Sequence, residues 1–222
     1  MHYKAVIFDM DGTLVDSIEA DFLAWQRLFA FYKIPLTFED YIPLLGIKSA
    51  QVAKEFLPIK NDEELAIALA NKLVYFEEII SEKGILPIPF ADVFLKQVKQ
   101  FNVQVALATS SRKAKMEMVM KKLDLLHFFD VIITAEDVEK GKPEPEIFIK
   151  TAKKLCLPRE ECIVFEDALN GVKAAKNAGM KCVALSSRRT SGLLAEADIV
   201  IDSFEDLDFS QICRELENIS FK

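Results

Sequence analysis

Five consecutive residues, Phe8-Asp9-Met10-Asp11-Gly12, set two carboxylates two positions apart, directly after the apolar run Ala5-Val6-Ile7-Phe8. Residues i and i+2 of a strand share a face, and Gly12 marks the point where the chain turns. Two carboxylates this close repel each other, which favours one ionised and one able to carry a proton. An ionised carboxylate is a nucleophile toward phosphorus and can form an aspartyl-phosphate. An anion that approaches a phosphate dianion needs help, because at an effective dielectric of ~20 two unit charges 4 Å apart interact by roughly 4 kcal/mol. The pair therefore calls for cations. Magnesium, which takes carboxylates and substrate phosphate oxygens as ligands, is the one that suits it.

Other apolar runs end in complementary groups. Cys162-Ile163-Val164-Phe165 runs into the acids Glu166-Asp167, which could hold the metal. Leu107-Ala108 runs into Thr109-Ser110-Ser111, hydroxyls at the start of a helical pattern, where phosphate is commonly held. Gly141-Lys142-Pro143 follows Val131-Ile132-Ile133 and offers one ammonium, with Pro143 and Pro145 stiffening the backbone behind it. Singly, each has a plainer reading: a charge pair at a helix N-terminus, an N-cap, a solvated lysine. A calcium loop of the EF-hand kind is excluded, since Thr13 and Ala20 stand where it needs an acid or amide and a glutamate. Taken together at successive strand ends, the groups complete one another as nucleophile and acid, phosphate-binding hydroxyl, cation and metal ligands.

The elements that must position these residues are short buried strands alternating with helices from residue 86 onward. Strand patterns lie at Ala5 to Phe8, Val103 to Ala108, Val131 to Ile133, Cys162 to Phe165, Cys182 to Leu185 and Ile199 to Ile201. Helical patterns run from Ala91 to Phe101, Lys113 to Leu123, Glu146 to Leu155 and Asn170 to Ala178, with Pro158 and Gly179 as stops. Such alternation predicts a doubly wound, Rossmann-like α/β parallel sheet. From about Ser17 to Ile85 the rhythm breaks. Apolar residues recur at helical spacing in Phe22, Trp25 and Phe29, and again in Leu65, Leu69, Leu73, Phe76 and Ile80, with Asn61-Asp62 as N-cap. The expected organisation is an α/β core of residues 1–16 and 86–222 and a helical insert, residues 17–85, placed to cover a site. Trp25 reads as core of that insert. Lys60, Lys72, Lys83, Lys113, Lys115, Lys121 and Lys122 read as solvated, and at least one of Met116, Met118 and Met120 as exposed.

Bulk properties narrow the partners. A net charge of −7 over 222 residues argues against nucleic acid. Half the residues are hydrophobic, enough for a sizeable core. None of the four cysteines forms a Cys-x-x-Cys pair and there are two histidines, which speaks against zinc. Cys156 and Cys182 read as buried free thiols, and a reducing cytoplasm fits them. No leader pattern precedes the first strand, and no apolar run nears the ~20 residues that span a bilayer. The expected partner is a small phosphorylated metabolite, with no membrane or nucleic acid, and the chain is expected to be a monomer or weak dimer.

Asp9-Met10-Asp11-Gly12-Thr13, continuing Leu14-Val15-Asp16-Ser17, then Thr109, Lys142 and Glu166-Asp167 followed by Asn170-Gly171-Val172-Lys173-Ala174-Ala175, resemble in order the four motifs of the haloacid dehalogenase-like hydrolase superfamily. The resemblance spans essentially the whole chain. It implies Asp9 as nucleophile and magnesium ligand. Asp11 would be the acid and then the base, lending its main-chain carbonyl to the metal. Asp167 would be a metal ligand, and Glu166 one directly or through water. Thr109 and Lys142 would grip the phosphoryl group, with further contacts near Ser110. Within the superfamily the chain is similar to β-phosphoglucomutase and its phosphatase relatives. The cap residues of that mutase are replaced: Leu45-Gly46-Ile47-Lys48-Ser49 has no arginine, the later lysine aligns with Glu77, and the histidine position is Asp21. The expectation is a magnesium-dependent phosphatase working through an aspartyl-phosphate, with Lys48 and Ser17 as candidate substrate contacts. The alternative is a β-phosphoglucomutase-like phosphotransferase. More remote are a phosphoacceptor signalling domain and a non-catalytic binding protein.

Overall fold

The structure is a computed structural model that describes residues 2–186 and 192–219. The six apolar runs are strands: β1 (Ala5–Phe8), β2 (Gln104–Ala108), β3 (Val131–Ile133), β4 (Cys162–Glu166), β5 (Lys181–Leu185) and β6 (Ile199–Ile201). They form one parallel sheet in the order β3-β2-β1-β4-β5-β6, with β1 at its centre. Between β1 and β2 lie α1 (Ile18–Phe31), α2 (Phe38–Tyr41), α3 (Ser49–Phe56), α4 (Asp62–Lys83) and α5 (Ala91–Lys99). The later crossovers carry α6 (Lys113–Lys122), α7 (Glu146–Lys154) and α8 (Leu169–Asn177), and α9 (Phe209–Asn218) follows β6.

The strands are apolar throughout because both faces of the sheet are covered. Period-two alternation sends Val6, Phe8, Val105, Leu107, Ile163 and Phe165 to one face, into a core shared with Phe94 of α5, Val119 of α6 and Phe209 of α9. Ala5, Ile7, Ala106, Ala108, Val164 and Cys182 form the other core with Ile147 and Phe148 of α7 and Val172 of α8. Helices on both faces of a parallel sheet make this the doubly wound α/β fold anticipated from the strand–helix alternation.

A third core belongs to the helices after β1. Trp25, Leu28 and Phe29 of α1 meet Tyr41, Val52 and Leu69, and α1 packs along α4. The Asn61 side chain accepts from the Glu64 amide at 2.8 Å, which caps α4, and Gly84 ends that helix at φ +81. Two bonds tie the insert to the sheet's carboxyl edge: Asn170 Nδ2 donates to the carbonyls of Pro43 (3.0 Å) and Leu45 (2.9 Å).

The structure differs from the sequence reading in several places. Helices α2, α3 and α9 were not anticipated. Cys156 is exposed rather than buried, because α7 ends just before it and the chain there turns through φ +58. None of the three methionines is exposed: Met116 and Met120 are buried and Met118 is half-buried.

Candidate active site

Parallel register brings the chemistry-bearing residues to one row. Phe8 is level with Leu107 on one side and Phe165 on the other, so one step further along the strands are Asp9, Ala108 and Glu166. The Asp9 amide donates to the Phe165 carbonyl at 2.9 Å, which fixes that step. Phe8 and Phe165 stack with centroids 5.0 Å apart beneath it.

Lys142, fully buried, reaches this row from the loop after β3. Its Nζ donates to Asp9 Oδ1 at 2.6 Å, to Glu166 Oε1 at 2.5 Å and to the Ala108 carbonyl at 3.3 Å. Glu166 Oε2 accepts from the amides of Asp167 and Ala168. Thr13 Oγ1 donates to Asp167 Oδ1 at 2.9 Å. Ligand-capable oxygens of Asp9, Glu166 and Asp167 lie within 4.8 Å of one another.

One ammonium among three buried carboxylates leaves surplus negative charge. Burial pushes Asp9 up to about 7 against the pull of Lys142, and Glu166 and Asp11 add to the push. Asp167 is raised well above the carboxylate range by burial, then by Glu166 and Asp9. Burial works against the Lys142 ammonium, yet Asp9 and Glu166 hold its pKa above the ordinary lysine value. Three carboxylates with excess negative charge are the donor set that a hard divalent cation such as magnesium takes, so these residues fit that ion.

Space around the carboxylates is kept by glycine. A Cβ on Gly171 would collide with the Glu166 carboxylate, and one on Gly12 (φ +84) with that of Asp167. Gly171→Ala is therefore expected to push Glu166 off its position and weaken magnesium binding by roughly tenfold, as losing the support of a metal ligand does. Calorimetric titration checks this; unchanged affinity would show that the acid is not a ligand.

Asp11 is gripped by three donors. Ser17 Oγ and Lys115 Nζ donate to Oδ1 at 2.5 and 2.8 Å, and Ser111 Oγ donates to Oδ2 at 2.5 Å. Thr109 is buried, and its Oγ1 accepts from the Ser111 amide at 3.0 Å. Ser110 Oγ turns toward the insert and donates to the Gly46 carbonyl at 2.6 Å. Of the expected residues, Asp9, Asp11, Thr109, Ser110 and Asp167 line one cleft. Lys142 and Glu166 are bonded to Asp9 or to one another at its floor, and Ser17 reaches it through Asp11. Lys48 is not on the cleft wall. Its stem covers Gly141, and its Nζ donates to the carbonyls of Val138 (2.8 Å) and Glu139 (3.5 Å).

Four residues of the cleft were missed or misread. Lys72 and Lys115 are buried rather than solvated, and they meet at Asp21. Asp21 takes Lys72 Nζ at 2.9 and 3.0 Å, Lys115 Nζ at 2.7 Å and the Tyr41 hydroxyl at 2.9 Å. Burial opposes ionisation of Asp21, but Lys115 and Lys72 outweigh it and hold the carboxyl well below its usual range. Burial draws Lys72 below the ordinary lysine value, against Asp21. Trp25 is core, as expected, yet it also faces the cleft, with Lys72 Nζ 4.4 Å from its ring centre. Glu77, the position aligned with a mutase lysine, is exposed, and Lys72 brings a cation to the cleft instead. A signal for all three charged residues was present. Asp21, Lys72 and Lys115 each occupy the apolar stripe of their helix, four residues before Trp25, Phe76 and Val119.

A model of the haloacid dehalogenase-like hydrolase family matches residues 6–185. Validoxylamine A 7'-phosphate phosphatase from Streptomyces hygroscopicus subsp. limoneus is 31% identical, over 95% of this chain and 98% of that protein. β-Phosphoglucomutase from Bacillus subtilis strain 168 is also 31% identical, over 96% of each chain. The crystal structure of β-phosphoglucomutase from Clostridium difficile superposes with a TM-score of 0.86, at 28% identity and 97% coverage of both chains.

Proposed function

The chain belongs to the haloacid dehalogenase-like hydrolases, enzymes of phosphoric monoesters, and from that premise we propose that it is a magnesium-dependent phosphatase of a small phosphorylated sugar or related metabolite, acting through an aspartyl-phosphate. The observation that carries this reading is the meeting of Asp9, Lys142, Glu166 and Asp167 at the sheet's carboxyl edge. Residues 17–85 act as a cap over the core of residues 1–16 and 86–222.

Asp9 attacks phosphorus and displaces the alcohol, whose oxygen takes a proton from Asp11. Asp11 then removes a proton from water, which attacks the phosphorus, frees Asp9 and releases inorganic phosphate. Lys142 neutralises part of the charge on the transferring group, and the Thr109 hydroxyl and the main chain at Ser110 would hold its oxygens. Ser17, Ser111 and Lys115 hold the Asp11 carboxylate between its two proton transfers. Asp9, Asp167, Glu166 and the Asp11 main-chain carbonyl would hold magnesium, which supplies positive charge against the developing phosphoryl charge.

Release of inorganic phosphate from a panel of sugar and polyol phosphates, with magnesium and with a chelator, tests the proposal. Turnover is expected with magnesium and is expected to vanish with the chelator. Likeness to β-phosphoglucomutase over nearly the whole chain keeps a phosphotransferase as the second reading. Interconversion of sugar 1- and 6-phosphates without phosphate release would establish that reading instead. Among the described residues no helix is long and apolar enough to cross a membrane.

A further inference from the structure

Two ammonium groups stand on the cleft wall, and both are already engaged. Lys72 of α4 and Lys115 of α6 share the carboxylate of Asp21, and Lys115 also binds Asp11 at 2.8 Å. The side chains of Lys72, Lys115 and Asp21 are 8%, 8% and 11% exposed, so water screens these pairs little. The two ammonium groups meet two carboxylates, Asp21 and Asp11, and the charges cancel while Asp11 is ionised. Lys142, at the floor, is held between Asp9 and Glu166. Arg112, which lines an adjoining pocket with Lys72 and Lys115, pairs with Glu136 at 3.1 Å. Among the described residues, no cation facing this cleft lacks a carboxylate partner.

That arrangement discriminates between leaving groups. The transferring phosphoryl group meets Lys142 and the proposed metal site, whereas the rest of the substrate meets the neutral wall. A second phosphate or a carboxylate there would have to compete with Asp21 for Lys72, leaving buried Asp21 only the ammonium of Lys115 that it shares with Asp11, and weakening a buried pair from one side is costly. Hydroxyl groups need no such exchange. Asp21 accepts hydrogen bonds, Tyr41 can do either, and Ser49 Oγ lies 3.4 Å from Lys72 Nζ on the same wall.

We infer that Asp21 is a specificity-determining residue: by engaging Lys72 and sharing Lys115 with Asp11 it restricts the enzyme to phosphomonoesters whose leaving group is an uncharged, hydroxyl-bearing molecule. The inference rests on the phosphatase reading and names its substrate class.

Matched pairs that differ only by a second anion test it: glycerol 3-phosphate against 3-phosphoglycerate, and glucose 6-phosphate against glucose 1,6-bisphosphate. The neutral member is expected to be the better substrate by roughly tenfold or more in kcat/KM. Asp21→Asn, which keeps the shape and frees a cation, is expected to shrink or reverse that ratio, mainly through a lower KM for the anionic member. Lys72→Met is expected to widen the ratio. Equal turnover of both members by the unmodified enzyme would overturn the inference, as would a folded Asp21→Asn with an unchanged ratio. Calorimetric binding of the same pairs to Asp9→Asn in magnesium separates the two claims. A preference for the neutral member in binding, without phosphate release by the unmodified enzyme, would uphold the selectivity and overturn the phosphatase. No preference in binding would overturn the selectivity alone.

Discussion

Asp9→Asn is expected to lower kcat/KM by roughly 10⁴-fold or more, because an amide cannot replace the carboxylate as nucleophile and the groups of such a unit fail together. It is not expected to unfold the protein. Asn is nearly the same shape and can still accept from Lys142, which donates to Asp9 Oδ1 at 2.6 Å. Removing one charge from a cluster in which burial has already pushed Asp9 up to about 7 relieves repulsion with Glu166. In chelator near neutral pH the variant should therefore melt no lower than the unmodified protein. A rapid quench with radiolabelled substrate separates chemistry from binding. The unmodified enzyme should carry an acyl-phosphate that hydroxylamine removes, and the variant none. Magnesium-dependent turnover that survives the substitution would sink Asp9 as nucleophile.

The second large effect is on stability. Lys142→Met removes the one ammonium that bridges Asp9 and Glu166 while keeping a long apolar stem in the same space. Breaking a buried pair from one side leaves uncompensated charge, at a cost of about 3–5 kcal/mol. For a chain of this size that corresponds to a melting temperature lower by roughly 10 °C. The unmodified protein and the variant should be compared by urea unfolding in chelator, then with magnesium added. Magnesium is expected to stabilise the variant more, since the carboxylates then have only the metal to neutralise them. Equal unfolding midpoints in chelator would mean that the ammonium contributes nothing net to the folded state. Phosphatase activity is expected to fall as well, because the proposed mechanism sets Lys142 against the transferring group.

Strands and motif residues were legible in the sequence for a local reason. A strand buried on both faces is an unbroken apolar run, and the polar residue that ends it announces itself. Phe8-Asp9, Ala108-Thr109 and Phe165-Glu166 are all of this kind. The buried charges were not legible in the same way. Whether Lys115 is solvated depends on Asp21, which another helix brings to it, and the two are far apart in the chain. Composition makes an isolated lysine an outward one, and only its place in an apolar stripe argues otherwise. Lys48 failed for the converse reason: its backbone lies beside the cleft, but the Val138 carbonyl claims its ammonium. Helix α9 could have been read, since Phe209, Ile212, Cys213 and Leu216 keep helical spacing. Helix α3 could not, with Val52 and Ala53 its only buried residues.

The central place of β1 has a consequence for how the molecule comes into being. Ala5 leaves the ribosome well before its partners Gln104 and Cys162. Until then the strand carrying Asp9 has two bare edges and no sheet to join. The contacts between α1 and α4 are nearer in sequence and can close first. During synthesis the helical insert thus has the means to assemble before Asp9 has neighbours. Glu166 and Asp167 emerge after the other residues of the proposed site, so a nascent chain cannot complete that site until they have been made.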